Sequence, residues 1–347
     1  MKKNKKDHPT INRYQFSEED PIGTMIRSKA VLAPMSGITD IPFRLMTRKY
    51  GCGFAFTEMI DVNGIIYNSH KTFDMMERIP EDLPLGVQLV GEDVKKFIKV
   101  GKICEGRGFK LLDINAGCPA RKVVKGGKGS ALMKDIKKLA GIVAGLKAAL
   151  NISVTVKIRS GWDQSSINCV EMAKALESAG ADAIGIHPRT KEQMYKGKAD
   201  HNLTLRVKGT VRIPVIASGN IFNAKDAEDV LISTGCDAVF IARGALGCPW
   251  IFDDIKKGSI REGKAAEMTF NDLKAVIIEH YEICLRFYNE IMTKKRMYKH
   301  LIWYFNKYKN KNDIMKKYQA GDGTAGFKAF MDKLELCDGK LILNDPS

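Results

Sequence analysis

Short apolar runs recur along the chain about every 25 to 40 positions, each ending on a polar or small residue, a span that fits one strand, one helix and their loops. Eight such runs are present. Val31 to Met35 ends in Ala33-Pro34-Met35, Phe54 to Thr57 runs into Glu58, Leu85 to Val90 holds Gln88, and Leu111 to Ile114 leads to Asn115. Further on, Ser153 to Ile158 holds Lys157, Ala183 to Ile186 leads to His187, Val215 to Ala217 leads to Ser218-Gly219-Asn220, and Ala238 to Ile241 leads to Ala242-Arg243-Gly244. Between them the apolar spacing turns helical, as in Leu139, Ile142, Val143 and Leu146, or Val170, Ala173, Leu176 and Ala179. Strands alternating with helices predict a parallel sheet, since parallel neighbours need a long crossover. Eight of them predict an α/β fold of the (β/α)8 TIM-barrel type, in which the strand ends share one mouth. A capping or turn role would explain any one of these polar strand ends. Their convergence at a common mouth favours a site.

The pattern changes near Lys256-Lys257-Gly258. Beyond it the strand signals stop. Leu273, Ile277, His280, Tyr281, Cys284 and Tyr288 keep helical spacing, as do Met297, Leu301, Tyr304 and Tyr308, and then Phe327, Phe330, Met331 and Leu334. A small C-terminal helical bundle is expected, with Asn271 and Thr324 as N-caps of its first and third helices. The expected organisation is an N-terminal extension over residues 1–27, a barrel over 28–257 and a helical domain over 258–347. Gly321-Asp322-Gly323-Thr324-Ala325-Gly326 matches G-x-G-x-x-G but follows no strand, so it reads as a turn entering a helix, and no P-loop motif occurs.

Composition sharpens this. At 347 residues the chain can bury a barrel core and keep a further segment. Met1 to Lys6 are basic but no apolar stretch follows, and no run reaches the length of a membrane-spanning helix, so a cytoplasmic protein is expected. Eight cysteines without a C-x-x-C pair read as reduced thiols, not as a zinc site or disulfide framework, and no metal centre is expected. Cys52, Cys104, Cys169, Cys236 and Cys284 sit in or beside apolar patterns and read as core, whereas Cys118 stands between Gly117 and Pro119 at a strand end. The net charge is +16, and from Lys294 to Lys317 nine basic residues face one acid, Asp313, which accounts for half of it. Lys295, Arg296 and Lys299 belong to this run, interleaved with Tyr298, His300, Trp303, Tyr304, Phe305 and Tyr308. Basic side chains neutralise phosphates and aromatic faces stack on bases, so the run suits RNA. The aromatics by themselves read better as bundle core.

The loops after the seventh and eighth strands of such a barrel often collect a phosphate. Here they are Ser218-Gly219-Asn220 and Ala242-Arg243-Gly244, with glycines for close approach and an arginine for paired contacts. Lys157 places a positive charge in the mouth, as a cofactor that becomes anionic on reduction requires. An ion pair with a barrel carboxylate explains it equally well. Gln88, Asn115 and His187 offer mixed donors and acceptors for the edge of a flat heterocycle. Together these features suit flavin mononucleotide (FMN). Cys118 then fits a general acid, since a thiol of ordinary pKa is protonated at neutral pH. A covalent nucleophile is the competing role, but the barrel sequence places no evident base beside Cys118, His187 at another strand end being the one that could serve.

VLAPMSGITDIPFR, GVQLVG, DINAGCPARKV, GSALM, VTVKIRSGW, IHPRT, IPVIASGNI and ARGALGCPWIF resemble, in order and spacing, the motifs of the flavin-dependent tRNA-dihydrouridine synthases of bacterial type. The resemblance runs from about Val31 to Phe252 and continues into a segment, Arg296 to Leu301, similar to that family's tRNA-binding domain. It implies reduction of the C5=C6 bond of a uridine in tRNA, with hydride from reduced FMN to C6, a proton from Cys118 to C5, and NADPH as reductant. Carried over residue by residue, it implies that Pro34, Met35, Ser36, Gln88, Lys157, His187, Ser218, Gly219, Asn220, Ala242 and Arg243 hold FMN. Asn115 and Arg189 lie where the family meets flavin or target base, and Lys122, with Lys125 and Lys128, is placed to guide RNA. The chain departs from the family where Ser218-Gly219-Asn220 replaces Asn-Gly-Asp and where Ala242 precedes Arg243 in place of glycine. Three other readings compete: the same chemistry on ribosomal RNA, a dihydroorotate-dehydrogenase-like enzyme on a free pyrimidine, and a non-catalytic RNA-binding barrel.

Overall fold

The computed structural model describes residues 16–258, 268–320 and 323–343. Each of the eight apolar runs forms a strand: β1 (Ala30–Leu32), β2 (Phe54–Asp61), β3 (Leu85–Val90), β4 (Leu111–Ala116), β5 (Ser153–Arg159), β6 (Ala183–His187), β7 (Val215–Ser218) and β8 (Ala238–Ile241). All are parallel, each pairs with the next, and β8 returns to β1 through Ala30↔Val239 and Leu32↔Ile241, which closes the expected barrel. A closed sheet has no edge to protect. β1 is shorter than its apolar run because Met35 turns away, its carbonyl accepting from the N–H groups of Ile38 and Thr39.

Strand periodicity decides what the barrel contains, because alternate side chains face opposite sides of a sheet. One set packs outward against the surrounding helices, for instance Leu112, Ile114, Val154, Val156 and Ile158 beside Leu139, Ile142, Val143 and Leu146. The other set fills the barrel in layers. The lower layers are apolar: Val31, Phe54, Phe56, Leu111, Ile216 and Phe240 form one cluster. Above them the register aligns Gln88↔Asp113↔Thr155, then Asn115↔Lys157↔Gly185, then Arg159↔His187. Gly185 is required there, since a Cβ would lie 2.7 Å from the Phe240 ring. Barrel polarity thus rises towards the mouth.

The floor is closed by helix Pro21–Ser28, part of the stretch for which the sequence suggested no role. Asp20 caps it by accepting from Gly23 N at 2.9 Å, Pro21 pre-sets the first turn, and Met25 enters the interior cluster.

The C-terminal part is helical as expected, with helices Phe270–Phe287, Glu290–Tyr304, Lys311–Ala320 and Gly323–Lys333. The cap of the first is Thr269, not Asn271: Thr269 Oγ1 accepts from Asp272 N and Asp272 returns the bond to Thr269 N, both at 3.1 Å, which places Asn271 inside the first turn. Thr324 likewise lies within a helix already running at Gly323, while Gly321 and Asp322 are outside the described residues. Strands do not stop at the boundary either, since β9 (Leu334–Cys337) and β10 (Lys340–Leu343) pair antiparallel around Asp338-Gly339, both with positive φ. His300, Tyr304, Phe305 and Tyr308 are buried in this domain's core, as the aromatics read by themselves suggested, and of the run's aromatics only Trp303 is exposed.

Helix Ile41–Lys49 of the barrel packs against helix Phe270–Phe287. At this junction Asp40 caps the former by accepting from Phe43 N at 3.1 Å and also accepts from Arg296 Nη1 at 2.7 Å and the Tyr288 hydroxyl at 3.2 Å.

Candidate active site

The mouth opens into a cavity of about 410 Å³. Thirteen of the residues singled out from the sequence line it: Pro34, Met35 and Ser36 from the loop after β1, Gln88, Asn115, Cys118, Lys157 and His187, and the loop residues Ser218, Gly219, Asn220, Ala242 and Arg243. Gly219 has φ +109°, and a Cβ there would lie 2.9 Å from the His187 ring. That loop therefore needs glycine both for its backbone and for its packing.

Cys118 is half-buried on the turn after β4. Its N–H donates to Asn115 Oδ1 at 2.9 Å, and its carbonyl accepts from Ser130 N at 3.0 Å. Burial pushes the thiol pKa up against the opposing pull of an Ala120 backbone contact, Arg159 and Lys157. The group is consequently a protonated thiol at neutral pH. His187 does not serve it as a base. Arg189 Nη1 lies 3.0 Å from His187 Nε2, and because a guanidinium can only donate, Nε2 accepts and the ring proton sits on Nδ1. Burial, then the charges of Lys157, Arg159, Arg189 and Arg243, hold His187 neutral.

Four cations surround this mouth without an ion pair. Lys157, Arg159, Arg189 and Arg243 have no carboxylate within 4.0 Å among the described residues. Arg159 is held by the carbonyls of Gly117 at 2.7 Å, Thr190 at 3.1 Å and Met194 at 2.7 Å. Arg189 lies behind the cavity wall, donating to Gly197 O at 2.8 Å and Asn220 Oδ1 at 2.6 Å. Asn220, with φ +56°, thus turns its amide into the loop after β6, where it also accepts from Ala199 N at 2.8 Å. Arg243 is flanked by two rings, Tyr195 at 5.3 Å and Phe222 at 5.4 Å, which are 53% and 47% exposed. Lys157 answers the question left open by its position: Asp113 acts on it through space, yet the two form no direct ion pair. Burial first, then Arg159, pull the Lys157 pKa down to about 8. This donor set suits an anionic ligand with a flat ring.

Arg159, Tyr195, Phe222 and Phe240 line the cavity but were not anticipated. Arg159 stands two positions after Lys157 on one strand, so the strand period marks it; Tyr195 and Phe222 lie on loops and carry no comparable signal. Of the residues expected at RNA, Lys122, Lys295 and Lys299 are exposed, and Lys299 Nζ lies 3.4 Å from where a Cβ on Gly37 would stand, beside the cavity-lining loop. Lys128 is instead buried, with Asp61 at 2.8 Å and Glu92 at 3.6 Å, so it cannot guide RNA as expected. Arg296 is committed to Asp40.

A barrel of the same kind occurs in the solved structure of histamine dehydrogenase from Rhizobium sp. 4-9, at 12% identity and TM-score 0.50, covering 74% of this chain and 49% of that one. The chain spans about half of that protein, and the likeness is one of fold. Sequence relatives are nearer. A probable tRNA-dihydrouridine synthase of Rhizobium leguminosarum bv. phaseoli is 36% identical over 283 residues, 82% of this chain and 87% of that protein. The tRNA-dihydrouridine synthase B of Vibrio vulnificus (strain CMCP6) is 34% identical over 314 residues, 90% and 96% of the two chains. A family model described as dihydrouridine synthase matches residues 31–335, spanning the barrel with its thiol-bearing mouth and the helical domain that meets it at Asp40. The chain belongs to the dihydrouridine synthase family.

Proposed function

We propose that this enzyme binds FMN in the barrel mouth and reduces the C5=C6 bond of a uridine in tRNA to 5,6-dihydrouridine, using NADPH as reductant, in the cytoplasm. The observation that carries this reading is a free, half-buried thiol beside a cavity whose cations have no carboxylate partner among the described residues. Arg243 and the backbone around Gly219 would take the phosphate, and Lys157 would lie against the ring, with Gln88 and Met35 among its other neighbours. Reduced FMN, when bound, supplies the hydride for uracil C6. Cys118 Sγ–H donates the proton to C5. Asn115 pins the turn that aims this thiol, and neutral His187 adds a donor at Nδ1 without competing for the thiol proton.

A uridine reaches this depth only after leaving its stack, so backbone contacts must offset the cost of unstacking. Cations flank the mouth on two sides. Arg121, Lys122, Lys125 and Lys134 follow β4, and Lys191, Lys196 and Lys198 follow β6; none is ion-paired among the described residues. Lys295 and Lys299 stand on the helical domain. All eight cysteines are unbridged, in keeping with a reducing compartment.

Cys118→Ala should keep bound flavin and its reduction by NADPH while losing uridine reduction by about a hundredfold or more. Dihydrouridine counted by mass spectrometry in tRNA treated with each enzyme checks this. Full turnover by the variant would remove Cys118 from the reaction.

A further inference from the structure

Asn115 and Gln88, at the cavity, continue downward into a polar chain whose lower members, Asp113 and Thr155, have no part in the reaction above. Asp113 faces inward on β4, one layer below Asn115, and is 2% exposed. Both of its oxygens are occupied: Thr155 Oγ1 donates to Oδ1 and Gln88 Nε2 to Oδ2, each at 2.7 Å. Gln88 Oε1 accepts from Asn115 Nδ2 at 2.8 Å, and Asn115 Oδ1 accepts the N–H groups of Cys118 at 2.9 Å and Gly117 at 3.2 Å. Every donor in this chain points towards Asp113.

That direction is forced from both ends. A carboxylate only accepts, so Gln88 must turn its nitrogen to it. Its oxygen then faces Asn115, which must answer with nitrogen. At the far end two peptide N–H groups require the Asn115 oxygen. A chain with an acceptor at one end and donors at the other leaves each amide a single orientation, and buried networks of this kind are costly to leave half satisfied.

We propose that Asp113 is a positioning residue, the acceptor-only end that fixes the Gln88 and Asn115 amides and, through them, the turn carrying Cys118. The proposal rests on Cys118 being the proton donor of uridine reduction. It also leaves one Gln88 N–H uncommitted as a donor for a ligand.

Three substitutions test it in the flavin-loaded enzyme. Asp113→Leu keeps the branched shape and removes both acceptors. Asp113→Asn still accepts from Gln88 provided its own N–H groups face Thr155 Oγ1, which can accept; Thr155→Val takes that acceptor away. The single variants Asp113→Asn and Thr155→Val should each lower turnover on tRNA by about threefold, and the double variant by about tenfold beyond their product. Asp113→Leu should change the rate of Cys118 alkylation by iodoacetamide, without RNA and read by peptide mass mapping, by about fivefold or more, with exposed Cys337 as the internal control. An additive double variant, or a folded Asp113→Leu enzyme with parental Cys118 alkylation, overturns the proposal. If Asp113→Leu does not fold, the double-variant comparison decides. A parent enzyme that reduces no uridine would defeat the functional reading instead, and the alkylation of Cys118 in the same variants would still judge Asp113.

Discussion

Behind the barrel wall Arg44 and Arg48 share the carboxylate of Asp82, and at the domain junction Arg296 holds Asp40, whereas at the mouth Lys157, Arg159, Arg189 and Arg243 meet carbonyls, amides, an imidazole, a phenol and aromatic rings, and no carboxylate among the described residues. The first set closes its charge within the fold. The second leaves positive charge unneutralised in a cavity, at a cost in stability that an anionic ligand can repay. Burial alone does not separate the two, since Arg44 and Arg189 are both almost wholly buried. The nature of the acceptor does. A cation held by neutral acceptors keeps its field for something else, and the mouth is where four such fields add.

Breaking a member of each set should therefore move different quantities. The largest effect is expected at Arg44, 2.7 Å from an Asp82 that is 0% exposed. Arg44→Met strands that carboxylate, with Arg48 at 3.6 Å as partial cover, and should cost about 3 kcal/mol of stability in chemical denaturation while leaving flavin affinity near the parental value. Next comes Arg243→Met. It removes no ion pair, so unfolding should stay within about 0.5 kcal/mol of the parent. Loss of a charge-assisted contact should weaken FMN binding by about 10- to 100-fold, read by quenching of flavin fluorescence. If Arg44→Met impaired flavin binding as strongly as Arg243→Met, the distinction between the two sets would collapse.

Much of this architecture is legible in the sequence. The eight apolar runs become the eight strands because a strand buried on both faces must be apolar almost throughout, and that signal is local. The polar residues ending the runs converge because barrel topology brings strand ends together. Asp113, Thr155 and Arg159 belong to the same inward face, because the period of two links Asp113 to Asn115, and Thr155 to Lys157 and Arg159, but no strand-end position singles them out. The ion pairs of Lys128 and Arg296 are a different case: their partners Asp61 and Asp40 lie 67 and 256 positions away, and such pairing has no local trace. The β9–β10 hairpin did have one, the Asp338-Gly339 turn, between strands too short to stand out.

The smallest effect expected is also the one that bears most directly on the mouth. Burial and Arg159 hold the Lys157 pKa at about 8, below its unfolded value near 10.4. Between those values the unfolded chain binds more protons than the folded one, so stability rises with pH across the window, and below it the burden of a buried charge is fully present. After allowance for solvent screening the rise should amount to about 1 to 2 kcal/mol in flavin-free protein, and Lys157→Met should flatten it. Asp113 runs the opposite way. Burial raises its pKa to about 6, so its contribution falls as pH climbs from the unfolded value near 3.9 towards 6, a window that Asp113→Asn should remove. An anion seated in the mouth favours protonated Lys157 and must shift the upper window to higher pH. Denaturation curves from pH 7 to 10.5, with and without FMN, would show that shift if the unpaired cations wait for the anion, and identical curves would mean that the mouth's charge is balanced by the protein after all.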